Sequence, residues 1–214
     1  MTPRNPATLL ACLLILALPG CASVAAPLLK PHVTTNPEKL ASGEWKLDQK
    51  HASLTFKIGH LGYSNYVGRF EGFDVLLDGD PEAPGEAQVS ATIDMTTLDV
   101  ANDPFAETLM GDGWFEADKF PEAVFNSTAV RQTGPDTADV DGLLTLHGKQ
   151  APVTLSVTFN GGAYDRLRGK DVIGFSATTT ISRSAFGITQ FEGLLDDDVP
   201  IEIEAELIKA DSAS

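Results

Sequence analysis

Cysteine is nearly absent from this chain. The two that occur, Cys12 and Cys21, both fall within the first 25 residues. The body beyond them is therefore expected to have no disulfide, no thiolate nucleophile and no cysteine-ligated zinc. Basic residues are scarce as well: 15 Lys and Arg face 30 Asp and Glu, a net charge of −15. Setting aside the first 25 residues removes only Arg4, so 14 basic residues remain against 30 acidic ones, a net −16. A field of that sign repels phosphate backbones and argues against nucleic acid as a partner. Histidine is limited to His32, His51, His60 and His147, with no pair at HxH or HxxxH spacing. That pattern predicts no metal site and no cofactor. There is no Gly-x-Ser-x-Gly elbow and no glycine-rich phosphate loop, and no Ser-His-Asp order suggests itself, so the chain reads as a non-enzyme. The triplet Asp196-Asp197-Asp198 lacks the spacing and glycine of a calcium loop and reads as a solvated hairpin.

Long apolar runs are missing too. Residues 7–18 (ATLLACLLILAL) are interrupted only by Thr8 and Cys12. The run falls short of the roughly 20 apolar residues that a stable membrane span needs. With Arg4 before it and small residues after it, it reads as an export leader. Leu18-Pro19-Gly20-Cys21 resembles a lipobox, which makes residues 1–21 a lipoprotein-type signal peptide and Cys21 the lipidated residue. Cleavage at Ser23-Val24-Ala25 is the competing reading. The first gives a periplasmic protein tethered to a membrane, the second a soluble periplasmic one. Residues 22–42, rich in Pro, Ala, Ser and Thr, read as a flexible tether, residues 43–210 as the folded domain, and the final residues as a frayed tail.

Within the domain the dominant period is two. Leu54, Phe56, Ile58 and His60 share one face, as do Val89, Ala91, Ile93 and Met95, and Val140, Gly142, Leu144 and Leu146. The same holds for Ala151 through Phe159, Ile173 through Ile181 and Val199 through Leu207. Each pattern predicts a half-buried strand. Residues 67–77 and 124–131 complete about eight strands, with residues 45–48 a lead-in and Gly68 and Gly72 marking bends. Asn102-Asp103-Pro104 predicts a cap for a short helix over residues 105–110, stopped by Gly111 and Gly113. The expected fold is all-β: a single extended antiparallel barrel of about eight strands with a short helix between strands. An eight-stranded barrel is just wide enough for side chains or one ligand. Ala91, Gly142, Ala151, Ala177 and Ala205 are small inward residues that leave room for a ligand. Large aromatics filling the interior remain the alternative.

Four segments carry more than a pattern. They are residues 60–70 (HLGYSNYVGRF), 114–125 (WFEADKFPEAVF), 142–153 (GLLTLHGKQAPV) and 181–188 (ISRSAFGI). In this order and spacing they resemble the YceI-like family of bacterial exported proteins, from about Trp45 to the C-terminus. The resemblance implies a lipocalin-like barrel with a long apolar cavity that holds a polyisoprenoid or another long amphiphile, and implies no cofactor or turnover. One departure is Ala185, before Phe186-Gly187, where many members carry an acidic residue; it puts the head-group contacts in doubt.

The residues expected to contact a ligand follow from both readings. Phe56, Phe70, Phe125 and Phe175 lie on predicted strands, and Phe105 and Leu109 make the short helix a candidate lid. His60, at the end of its apolar face, and Arg69 and Arg183 are candidates for a polar head, with Phe186 beside them. A structural histidine and internal salt bridges are the alternatives for those three. The expected function is binding of a long-chain lipid, a polyisoprenoid or isoprenoid quinone, by an envelope carrier or sequestering protein. A small envelope enzyme or redox accessory acting on the lipid head is the alternative. A homodimer is left open.

Overall fold

The alternating faces emerge as ten strands in one antiparallel sheet that closes on itself. In the computed structural model, residues 29–211 are described, and the barrel belongs to the compact unit Pro31–Ser214. The leader, Cys21 and the first part of the expected tether lie outside the described residues. In chain order the strands are β1 (Gly43–His60), β2 (Ser64–Phe70), β3 (Phe73–Gly79), β4 (Gln88–Asp94) and the two-residue β5 (Leu98–Asp99). After helix α1 (Asp103–Met110) come β6 (Glu122–Gln132), β7 (Thr137–Leu146), β8 (Lys149–Asp165), β9 (Lys170–Ser182) and β10 (Asp198–Lys209). Neighbours follow the order β10-β9-β8-β7-β6-β4-β3-β1-β2-β5, and β10 pairs with β1 to close the barrel.

Both β2 and β3 pair antiparallel with β1, β2 along its second half and β3 along its first. They act as one wall interrupted at Glu71-Gly72, so the barrel has the expected eight walls. Gly72 allows the break because a side chain there would press on Thr97 and Asp94. Closure through β10 and β1 pairs the edges that an open sheet would leave free to template aggregation.

Three irregularities shift the inward parity. In β1, Leu47 pairs with Leu207 and Ala52 with Ala205, so four residues of β1 face a single residue of β10. Trp45 and Leu47 point inward before this bulge, and Leu54 onward after it. The change from odd to even positions makes the lead-in at residues 45–48 look separate in sequence, although it belongs to the same strand. Similar shifts lie between Ser127 and Ala129 in β6 and between Phe159 and Gly161 in β8. Bulges of this kind bend and twist strands, as barrel closure requires.

Helix α1 forms where its cap predicts it. Asn102 Oδ1 accepts from the Phe105 N–H at 3.1 Å, and Pro104 occupies the first turn, where its missing N–H is harmless. Ala106 and Leu109 are the residues it buries. Within the stretch read as a tether, Thr34 exchanges both backbone hydrogen bonds with Gly162, and Pro37–Lys39 forms a short 3-10 turn capped by Asn36.

Candidate functional site

The inward faces of the walls enclose a cavity of about 610 Å³, within the usual range for small-molecule sites. Its lining is almost wholly apolar and continuous around the barrel: Leu54, Phe56 and Ile58 from β1, Ala91 and Ile93 from β4, Val153 through Phe159 from β8, Phe175 and Ala177 from β9, Ile201 through Leu207 from β10. The period-two reading therefore placed the cavity wall correctly. Of the small residues expected to leave room, Ala91, Ala177 and Ala205 do line it. Gly142 does not: the Phe125 ring lies over it, 2.3 Å from where a Cβ would sit. Ala151 is not among the lining residues either.

The two ends differ in chemistry. At the upper end, formed by the β1–β2 turn, α1 and the β9–β10 loop, the lining includes His60, Tyr66, Phe105, Trp114 and Arg183. At the lower end, formed by the N-terminal segment and the β3–β4 and β6–β7 loops, it includes Thr35, Asp80, Gln132 and Asp136. Aromatic rings interlock towards the upper end. Phe56, Phe70 and Phe115 stand 5.7–6.4 Å apart in tilted and edge-to-face pairs. Phe105 from α1 meets Tyr66 edge-on at 5.5 Å, and the Tyr66 hydroxyl donates to the Val100 carbonyl at 3.2 Å. Trp114, Phe115 and Tyr66 escaped the sequence reading. The first two sit in an irregular loop without periodicity, where only their presence in a family motif pointed to them.

Of the residues expected to contact a ligand, Phe56, His60, Phe70, Phe105, Leu109, Phe125, Phe175 and Arg183 all line the cavity. Two lie elsewhere. Arg69 is odd-numbered on a strand whose inward residues are Gly68 and Phe70, so it points outward. There its guanidinium donates to Asp99 and Glu71, both at 2.7 Å. The Ala101 N–H and Arg69 together hold the Asp99 carboxyl below its usual range. Phe186, 1% exposed, is packed into the core below a left-handed turn at Gly187 and does not face the cavity.

Arg183 is 5% exposed and makes no carboxylate ion pair among the described residues. Its Nε donates to the Asp196 carbonyl (2.9 Å), Nη1 to Ile188 (2.8 Å) and Gln190 (2.9 Å), and Nη2 to Leu195 (3.3 Å). Neither a head group nor a salt bridge is thus needed to settle the charge: four backbone carbonyl dipoles of the β9–β10 loop solvate it. The aspartate run has a matching role. Asp197 accepts from the Ser182 hydroxyl (2.5 Å) and the Ser184 N–H (2.9 Å), which lower its pKa. His147, at a left-handed φ of 51°, fixes the β7–β8 turn through Nδ1 to the Phe186 carbonyl at 3.0 Å.

Asp48, His51 and Glu206 bring three ligand atoms within 4.8 Å of one another on the outer face. Arg168 already occupies this cluster, its Nη1 lying 2.6 Å from Glu206 and 3.6 Å from Asp48.

Residues 45–207 match the family model described as the YceI-like domain. The chain belongs to the YceI-like family. A UPF0312 protein of Pseudomonas putida (strain W619) is 37% identical over 170 residues, covering 78% of this chain and 88% of the relative. The solved YCEI protein of Campylobacter jejuni is 29% identical with a TM-score of 0.64, covering 72% of this chain and 90% of that one. A domain from Saccharophagus degradans, described as polyisoprenoid binding and implicated in plant cell wall breakdown, has a TM-score of 0.58 at 17% identity, covering 78% and 98%. At that identity the YceI-like fold is what is shared.

Proposed function

We propose that this YceI-like barrel binds one long-chain amphiphile, a polyisoprenoid or isoprenoid quinone, and carries or sequesters it in the cell envelope without converting it. The observation that carries this reading is the predominantly apolar lining contributed from Leu54 to Leu207, with its polar groups chiefly at the two ends. Burial of a chain is worth about 0.8 kcal/mol per CH₂, hence about 3 to 4 kcal/mol for each five-carbon isoprene unit before the costs of immobilisation. Few polar contacts are then required, and the tail is recognised by length and thickness rather than by hydrogen bonds. The name of the Saccharophagus degradans domain, which shares the fold, supports the ligand class.

The ends suggest an orientation. Asp80 and Asp136 at the lower end disfavour a head group made of acceptors. At the upper end the lining itself carries His60 and Arg183 and, among the described residues, no carboxylate, since Glu192 and Asp196 lie outside it, and this favours one. The tail then runs down the barrel with the head near His60. The reading of residues 1–21 as an export leader supports a place in the envelope, where Cys21 would carry the acyl anchor.

Native mass spectrometry of the protein purified without detergent, followed by lipid extraction, tests the reading. The expected result is a bound isoprenoid recovered unchanged. Recovery of bare protein that also fails to take up an added polyprenol would overturn it. Chemical conversion of the added lipid, lost in His60→Gln, would favour the enzyme alternative.

A further inference from the structure

The upper rim carries an apolar surface that the cavity does not use. In the β1–β2 turn Leu61 and Tyr63 are exposed, Tyr63 at 86%; in the β9–β10 loop Phe191 and Leu194 are exposed at 58% and 53%. These two loops are joined: the Leu61 N–H donates to the Leu194 carbonyl at 3.1 Å, and His60 bridges to Leu195. Phe191 stacks on Trp114 at 5.9 Å, linking the loop following α1 to the same patch. Each patch residue adjoins a cavity-lining one: Leu61 next to His60, Tyr63 through its N–H to the His60 carbonyl at 3.0 Å, Leu194 next to Leu195, Phe191 against Trp114. The patch therefore borders the upper mouth.

Its backbone is built to hold these side chains outward. Leu61 and Phe191 both adopt left-handed φ, 54° and 53°, which bulky residues rarely do. Apolar residues placed in a strained conformation to face solvent indicate a surface with a partner.

The charges around it select that partner. Asp112, Glu192 and Asp196 are exposed around the patch, and among the described residues neither Glu192 nor Asp196 forms an ion pair. With a net chain charge of −15, an anionic surface is repelled, whereas ammonium groups are attracted. Aromatic and apolar side chains flanked by polar groups are also the composition that settles at a bilayer interface.

We propose that the rim formed by Leu61, Tyr63, Phe191 and Leu194 docks on a zwitterionic lipid surface bearing ammonium head groups, of the phosphatidylethanolamine type. The purpose rests on the lipid-binding reading: docking sets the cavity mouth against the bilayer from which its ligand is drawn.

The test is vesicle flotation of the chain as its host produces it, carrying Cys21→Ser so that no acyl anchor contributes. The expected result is co-flotation with phosphatidylethanolamine/phosphatidylcholine vesicles, falling several-fold when phosphatidylglycerol replaces the ethanolamine lipid at low salt. Leu61→Asn with Phe191→Asn should reduce flotation about tenfold, since asparagine tolerates the left-handed turn and so spares the fold. Leu167→Asn, at the exposed tip of the β8–β9 hairpin, should leave it unchanged. Equal flotation of the double variant, no flotation of the parent, or self-association that the same two changes abolish would overturn the proposal, the last assigning the patch to a second copy. Uptake of a fluorescent polyprenol without vesicles reads the cavity separately, so the two proposals fail independently. The double variant should keep that uptake, and its loss would place the defect in the cavity and overturn the docking assignment.

Discussion

Gly68 stands directly across from Phe56 in the β1–β2 ladder, and the Phe56 ring fills the space a side chain at 68 would take. A methyl group on Gly68 would lie 2.3 Å from Phe56 Cζ. The glycine lets the ring lie flat along the wall and meet Phe70 and Phe115, leaving the cavity open. Gly142 and Phe125 repeat the device across β6 and β7.

Gly68→Ala is therefore expected to push Phe56 towards the cavity and cost about 1 to 3 kcal/mol, read by denaturant unfolding. Gly142→Ala should cost more. A methyl group there meets the Asn126 carbonyl at 2.6 Å as well as the Phe125 ring, and backbone yields less readily than a side chain. Equal, negligible losses at both positions would contradict the packing described.

The cavity wall gives a test of the opposite sign. Ala177 lies between Val157 and Ile203 in neighbouring strands and faces the cavity. In a solid core, Ala177→Phe overpacks at about 1 to 3 kcal/mol. In an open cavity the ring occupies ligand space, so the expected outcome is a nearly unchanged thermal midpoint with loss of bound lipid by native mass spectrometry. Severe destabilisation at both Ala177→Phe and Ala91→Phe, with no lipid in the parent, would leave the barrel without a ligand.

Arg183→Lys keeps the charge but loses the planar fork that reaches four carbonyls. Buried carbonyls left without donors cost about 1 to 3 kcal/mol each. A loss of at least about 2 kcal/mol is expected, with hydrogen exchange rising first in residues 188–196. A stability change within about 0.5 kcal/mol would show that the loop holds itself.

The outer face offers a titration. Arg131 donates to Asp141 at 2.8 and 3.0 Å, Thr154 adds a bond at 2.7 Å, and the Asp141 pKa is lowered to about 2. Unfolded, an aspartate titrates near about 3.9. The folded value is the lower one, so this contribution to stability is present above about pH 4 and is lost as pH falls through about 2. Carboxyl NMR should show that midpoint, and Arg131→Gln should move it up towards the ordinary value. An unmoved midpoint would remove Arg131 as the cause.

Much of the wall was legible because one physical rule governs it: an inward residue every second position. The rule also places Arg69 outside, since Phe70 beside it is inward. It failed where its parity shifts. The bulge between Leu47 and Ala52 hides the unity of β1, because nothing in the residues announces that four of them will face one. It also cannot distinguish an inward glycine that leaves space from one that receives a neighbour's ring, which is why Gly142 was misjudged while Ala177 and Ala205 were not.

The chain's sequence alone determined that its body would be a disulfide-free, acidic, all-β barrel with one capped helix, because composition and strand period depend only on local residue order. The family followed from four motifs. The tertiary structure alone decided that Trp114 and Phe115 join the cavity wall, that Arg183 spends its donors on loop carbonyls, and that Leu61 and Phe191 meet on one rim. Phe115 meets Phe56 across 59 positions and Leu61 shares its rim with Phe191 across 130, while Arg183 reaches back onto its own loop in a geometry that no strand period describes. Periodicity specifies the face on which a residue lies, whereas its neighbours across the barrel depend on register and closure.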